Sequence, residues 1–129
     1  MRTRYVVIPI LVAAFCASGL VLVAHEGEEH PKAPGAITVH GEILDMACYV
    51  AHKAKGEEHA DCAKRCVKGG QPMGLLAADG TVYLLYANHK DGSAFEQAKD
   101  HAGRMVQITG VEATQDGIKG IEVSSVKAH

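Results

Sequence analysis

Residues 73–87 read MGLLAADGTVYLLYA, in which two apolar runs, 73–78 and 81–87, are joined by Asp79 and Gly80. An Asp-Gly pair between two such runs is a strong signal for a β-hairpin, because glycine readily adopts the positive φ that a tight turn requires. The segment therefore predicts two adjacent antiparallel strands near the middle of the chain.

Strand signals also lie on both sides of this hairpin. Apolar and polar residues alternate through 37–43 and again through 105–111, which is the period of a half-buried strand. A Gln-Asp-Gly turn then precedes a further strand-like segment over 118–126. The chain is therefore expected to contain five strands.

Two helices are expected between these strands. Ser93 and Glu96 have the spacing of a capping box, which predicts a short helix over 94–101. A second helix is predicted over 57–67, between the first strand and the hairpin. Both helices are short, so the strands should dominate the architecture.

The order of these elements indicates the fold class. Without the insert after strand 1, it is five strands with a helix between the third and fourth, which is the order of an OB-fold. We therefore predict a β-rich, five-stranded OB-fold-like barrel over 36–129, with a cysteine-bearing helical insert after strand 1 and a short helix between strands 3 and 4. A small α+β sandwich is the alternative.

The first 24 residues differ from the remainder. Arg2 and Arg4 precede an uncharged run over 6–24 that contains Cys16, and Ala24 offers a small residue for cleavage, as in a secretory signal peptide. The run is also close to the length of a spanning helix, about 20 residues, so an uncleaved inner-membrane anchor is the alternative. In both cases we expect the domain to be periplasmic or otherwise exported, with membrane contact only if the segment is retained.

Residues 25–35 combine Glu and His with two prolines and two glycines, which predicts a flexible linker. Cleavage after residue 24 would remove two of the 13 Lys and Arg residues and none of the 15 Asp and Glu residues, leaving a charge of about −4 with neutral histidines. No continuous basic stretch remains, so the composition argues against a nucleic-acid partner.

The polar insert contains a set of side chains with metal-ligand chemistry: Cys48, His59, Cys62 and Cys66. At about 100° per residue, His59, Cys62 and Cys66 project from one face of the predicted helix, within roughly 60°. Cys48 follows the first strand and is placed to close over that face. Three thiolates and an imidazole suit a tetrahedral Cys₃His zinc site, and thiolates also suit Cu(I). This hypothesis predicts about one metal ion per chain.

Two other interpretations of the cysteines remain open. Exported proteins usually pair their cysteines, and a disulfide from Cys48 to Cys62 or Cys66 would staple the first strand to the helix, with one thiol left over. The chain would then be a non-catalytic interaction module with a protein partner in the cell envelope. A thiol-redox protein is the third interpretation, although C-x₃-C is not the usual redox spacing. No other motif of an enzyme accompanies these cysteines, which favours a binding protein.

Three further residues are candidates for the same chemistry. Asp45 is placed to orient a ligand imidazole from outside the coordination shell, although capping a helix or facing solvent is the commoner role of an aspartate. His52 is a weaker candidate for a ligand. Cleavage after residue 24 would make His25 the N-terminal residue, whose amine and ring nitrogen together suit copper, although a flexible spacer explains it equally.

Several strings of the domain resemble a group of small exported bacterial proteins: GEILDMAC at 41–48, H-x-x-C-A-x-x-C at 59–66 and G-x-P-x-G-L-L at 70–76. The resemblance covers about residues 36–126 and implies export and an OB-type barrel with a cysteine-bearing insert after the first strand. It implies no particular activity. The residues that it marks for testing are Asp45, Cys48, His59, Cys62 and Cys66.

Overall fold

The computed structural model describes residues 35–129, so the predicted signal peptide or anchor over 1–24 lies outside the described residues, as does the linker up to residue 34. The elements, in chain order, are β1 (Ala36–Asp45), α1 (Met46–His52), α2 (Ala60–Lys68), β2 (Met73–Ala77), β3 (Val82–Ala87), α3 (Ser93–Lys99), β4 (Met105–Gln115) and β5 (Ile118–Ala128). A 3₁₀ turn over Glu57–His59 leads into α2. None of the helices in residues 35–129 is long and apolar enough to cross a bilayer.

The five strands form a closed barrel in the order β1-β2-β3-β5-β4. β1 pairs antiparallel with β2 on one edge and with β4 on the other, so that Ile43 lies opposite Leu75 and Ile37 lies opposite Gly110. The barrel closes through a parallel pair between β3 and β5, while β4 and β5 form the second hairpin. The predicted OB-fold-like barrel is confirmed, including the helical insert after strand 1 and the short helix between strands 3 and 4.

The core fills the barrel and continues under two helices. Alternate residues of β4 point inward, so that Val106 and Ile108 are fully buried, as the period of two predicts. α2 contributes Ala63 and Val67 to this core, and α3 contributes Ala98. The buried core residues are Ile43, Ala63, Val67, Met73, Leu75, Leu85, Ala98, Ala102, Val106, Ile108, Ile121 and Val123.

Gly103, in the loop between α3 and β4, fixes the start of α2 against the barrel. Its φ is +76°, and a Cβ atom at this position would overlap the backbone of Ala60, the first residue of α2. Its N–H donates to the carbonyl of Ile43 at 2.7 Å. Only glycine combines this conformation with so close an approach, so this residue positions α2 relative to β1.

The exposed side of α2 is tied to α3 by charge. Nζ of Lys64 lies 3.2 Å from Oδ1 of Asp100, and Nζ of Lys68 lies 2.5 Å from the same atom. All three side chains are about half exposed, so solvent weakens both pairs and they contribute little to stability. The two pairs connect α2 to Asp100, the C-cap of α3.

The predicted capping box at α3 is wrong in detail. Gly92 is the N-cap and Ser93 is already the first helical residue, so the helix begins one residue earlier than predicted. The N–H of Ser93 donates to Oδ1 of Asp91 at 2.9 Å, and this local turn replaces the serine cap. Glu96 instead forms an ion pair with Lys99, at 2.7 Å.

Candidate metal site

Asp45 ends β1 and begins α1, and it places Cys48 in the first turn of that helix. The Asp45 side chain is 1% exposed, and its Oδ1 accepts hydrogen bonds from the N–H groups of Ala47, at 2.9 Å, and Cys48, at 3.4 Å. An aspartate N-cap satisfies donors that a helix start leaves open. Lys53 ends the helix in a left-handed conformation, with φ of 55°. The sequence analysis did not predict α1, although the Asp-x-x-Cys string contained its cap.

α2 carries the other two cysteines on a face beside its buried one. The residues of α2 that enter the core are Ala60, Ala63 and Val67. Cys62 and Cys66 lie one turn apart on the adjoining face and are partly buried. His59 is the N-cap of α2, at the end of the 3₁₀ turn, and not a residue within the helix as predicted. α2 therefore packs through one face into the core and carries its cysteines beside that face.

The side chains with ligand atoms fall into two overlapping groups. In the first, the Sγ atoms of Cys48, Cys62 and Cys66 all lie within 4.8 Å of one another. In the second, one ligand atom each from Asp45, Cys48 and His59 lie within 4.8 Å of one another. The four predicted ligands are therefore close enough to bind a metal ion. His59 is grouped with Asp45 and Cys48, so Asp45 is close enough to be a ligand itself.

Two buried polar atoms of the second group lack a hydrogen-bond partner among residues 35–129: Oδ2 of Asp45 and Nε2 of His59. Leaving a polar atom buried without a partner costs about 1–3 kcal/mol, and such atoms in native proteins call for an explanation. A carboxylate oxygen and an imidazole nitrogen are both zinc ligands. A bound cation would satisfy the two atoms together.

The carboxylate of Asp45 controls the ionisation of the thiols around it. Burial alone would raise the pKa of Asp45, but its interactions with the thiols of Cys48 and Cys66 and with the nearby backbone N–H groups lower it below the usual value. The same contact with Asp45, followed by desolvation, raises the pKa of Cys48 to about 12 and also raises the pKa of Cys66. Without metal, these two thiols are therefore protonated at neutral pH.

This ionisation pattern argues against the thiol-redox interpretation. Reactive cysteines have a pKa lowered by a helix N-terminus or a neighbouring cation, because the thiolate is the nucleophile. Here the contact with the Asp45 carboxylate is the largest influence on the pKa of Cys48 and of Cys66, and it has the opposite effect. A metal ion reverses it, since coordination deprotonates a thiol outright.

The alternative of a Cys48 disulfide is not supported. Within residues 35–129, Cys48, Cys62 and Cys66 are all free thiols, and no S–S bond joins any two of them. The sulfurs converge on one region beside Asp45 instead of forming a pair with one left over. A disulfide requires about 2.05 Å between two sulfurs and a specific dihedral angle.

The remaining candidates are not in this cluster. His52 is exposed at the end of α1, one turn further from Asp45 than Cys48, and belongs to neither group. His25 lies outside the described residues. A surface cleft of about 300 Å³ lies elsewhere, beside Glu57 and Arg104, and no cysteine lines it.

Comparisons of the chain with protein-family models, with curated proteins and with solved structures find no match. The geometry of the cluster and the chemistry of its side chains are therefore the grounds for a functional conclusion.

Proposed function

We propose that this chain is an exported, non-catalytic transition-metal-binding protein that takes up Zn²⁺ or Cu(I) for storage, delivery or sensing. The observation that carries the proposal is the convergence of three free thiols, Cys48, Cys62 and Cys66, within 4.8 Å of one another. Thiolates are the preferred ligands of both metals. His59 and Asp45 adjoin this group on the side of Cys48.

The spacing of the thiols requires only a small contraction around an ion. Zinc–sulfur bonds of about 2.3 Å place tetrahedral sulfur ligands about 3.8 Å apart. All three Sγ–Sγ distances are already at most 4.8 Å, and cysteine side chains can adjust through a single torsion. The backbones of α1 and α2 can therefore remain in place against the barrel.

The electrostatics of the cluster favour a cation over a reactive thiol. Asp45 is buried and its lowered pKa keeps it ionised at neutral pH, so it attracts positive charge. The thiols release protons when they bind a metal ion, which makes uptake pH-dependent.

Export of the domain depends on the N-terminal segment over 1–24, whose composition is that of a signal peptide or anchor.

The test is mass spectrometry of the full-length chain, expressed in a bacterium and purified from the periplasm. A native mass heavier by bound metal, which names the metal, and three labelable thiols after chelation are the expected results. Under denaturing conditions the mass should be that of a chain that begins at His25, if cleavage follows Ala24. Cys62→Ser and Cys66→Ser should each bind less metal than the wild type, because removing a ligand weakens coordination.

His52→Ala is the matched control, because this histidine is exposed and lies outside both ligand groups. It should keep the bound metal of the wild type. A metal-free wild type with a mass lower by two hydrogens and one labelable thiol would contradict the proposal. That outcome would indicate the disulfide-stapled interaction module with a partner in the cell envelope.

A further inference from the structure

We infer that the cluster binds two divalent ions of the zinc class, with the Cys48 thiolate as a bridge between them. Cys62 and Cys66 complete the protein ligands of the first ion, and Asp45 and His59 complete those of the second. This inference rests on the proposed function and deepens it, since the Cys₃His hypothesis from the sequence predicts one ion.

The ligand atoms divide into two close groups that share one residue. Cys62 and Cys66 form a close group with Cys48, and Asp45 and His59 form another close group with the same cysteine. One tetrahedral ion uses four ligands, but five ligand side chains are present. The division supplies three protein ligands to each of two ions, and water can occupy the remaining position of each.

Two buried polar atoms of the cluster have no hydrogen-bond partner among residues 35–129. A single ion bound by the three thiols would leave Oδ2 of Asp45 and Nε2 of His59 as they are, buried and without a partner. Oδ1 of Asp45 is already used by the cap of α1, so Oδ2 is the oxygen available for coordination. An ion held by these two atoms and Cys48 satisfies both of them.

The negative charge of the ligand set equals the positive charge of two divalent ions. Three bound thiolates and the Asp45 carboxylate together carry four negative charges. One Zn²⁺ would leave two of them uncompensated in a partly buried site, and one Cu(I) would leave three. Two divalent ions neutralise the set, which avoids the penalty of burying excess charge. The carboxylate and imidazole also suit Zn²⁺ better than Cu(I), which prefers soft ligands.

The separation between the two ions is limited by the sulfur that they share. Two ions that share one sulfur, each at about 2.3 Å, can be up to about 4.6 Å apart. Two-metal sites in proteins hold their ions about 3.5–4 Å apart, within this limit. Cys48 suits the bridging position because it is the residue common to both groups.

The test is a titration of Zn²⁺ alone into chelated, reduced wild-type protein, followed by native mass spectrometry and by competition with a chromophoric chelator. We expect two zinc ions per chain. His59→Ala should bind one, whereas the control His52→Ala should bind two. Asp45→Asn keeps a good N-cap for α1 but loses the carboxylate. The affinity for the second ion should therefore fall by at least about 10- to 100-fold, the loss that follows mutation of a residue outside the coordination shell.

Cys48→Ser distinguishes a bridge from two separate sites. Loss of a bridging thiolate should weaken both ions, whereas loss of an ordinary ligand would weaken one. Circular dichroism shows whether each variant is folded. If His59→Ala is not folded, Asp45→Asn tests the second ion in its place. A wild type that saturates at one zinc ion would overturn the inference and leave the proposed function standing. A wild type that binds no metal would overturn both.

Discussion

At the scale of the residue, Asp45 links the fold to the proposed chemistry. Oδ1 caps α1 and so sets the position of Cys48, while Oδ2 is buried without a hydrogen-bond partner among residues 35–129. The carboxylate also lies close to ligand atoms of Cys48 and His59. The sequence analysis named helix capping as a common role of an aspartate, because Asp is a favoured N-cap residue. It did not indicate burial to 1% exposure, because that depends on how the end of the barrel closes over the residue.

The contact between Asp45 and Cys48 predicts that the metal-free protein loses stability at alkaline pH. The folded pKa of Cys48 is about 12, above its ordinary value of 9.0. The protonated thiol is therefore favoured by folding. Its contribution is complete below about pH 9 and is lost as the pH rises towards 12. Urea unfolding of chelated, reduced protein at about pH 8 and about pH 10.5 should show a lower midpoint at the higher pH.

Cys48→Ser is the control for this prediction, because lysines and tyrosines also titrate in the alkaline range. The variant has no thiol at this position, so its midpoint should fall less between the two pH values than that of the wild type. An equal fall in both proteins would show that the ionisation of Cys48 is not linked to folding.

At the scale of the element, the strands were more predictable than the insert. The Asp79-Gly80 hairpin and the alternation along β1 and β4 arise from local sequence, and the structure confirms them. α1 was missed because it has only seven residues, too few to form without a cap and tertiary packing. His59 precedes α2 instead of lying within it, and it is grouped with Asp45 and Cys48 rather than with Cys62 and Cys66.

The placement of α2 predicts an unusual sensitivity at Gly103. Gly103→Ala requires a left-handed alanine, which costs about 1–2 kcal/mol, and brings a Cβ atom into the backbone of Ala60. Overpacking adds about 1–3 kcal/mol. Urea unfolding should therefore show a large loss of stability. Zinc affinity should also fall, because the start of α2 moves and His59 moves with it.

Gly117→Ala is the matched control. Gly117 has a φ of +85°, but a Cβ atom there would contact nothing within 4 Å. This variant should lose only the conformational part, about 1–2 kcal/mol, and should keep the zinc affinity of the wild type. Equal losses in the two variants would mean that the contact between Gly103 and Ala60 does not position α2.

At the scale of the whole molecule, the core and the ligand cluster are adjacent but separate. The core consists of barrel residues together with the buried faces of α2 and α3, and none of the clustered cysteines belongs to it. The barrel closes through hydrogen-bonded strand pairs at every edge. The domain therefore has a source of stability that does not depend on an ion, unlike a zinc finger, which is unfolded without metal.

This separation predicts that the metal-free protein is folded and that the ion adds stability to an existing structure. Chelated wild type and the double variant Cys62→Ser/Cys66→Ser should both unfold cooperatively on heating, because the barrel core is intact in each. Zinc should raise the unfolding temperature of the wild type, since an ion at 100 times its Kd stabilises the folded state by about 2.7 kcal/mol. The double variant should respond less, because it keeps only the ligands Asp45, Cys48 and His59. A chelated wild type without a cooperative transition would show instead that the metal ion is needed to form the barrel, and that the ligand cluster belongs to the folding core.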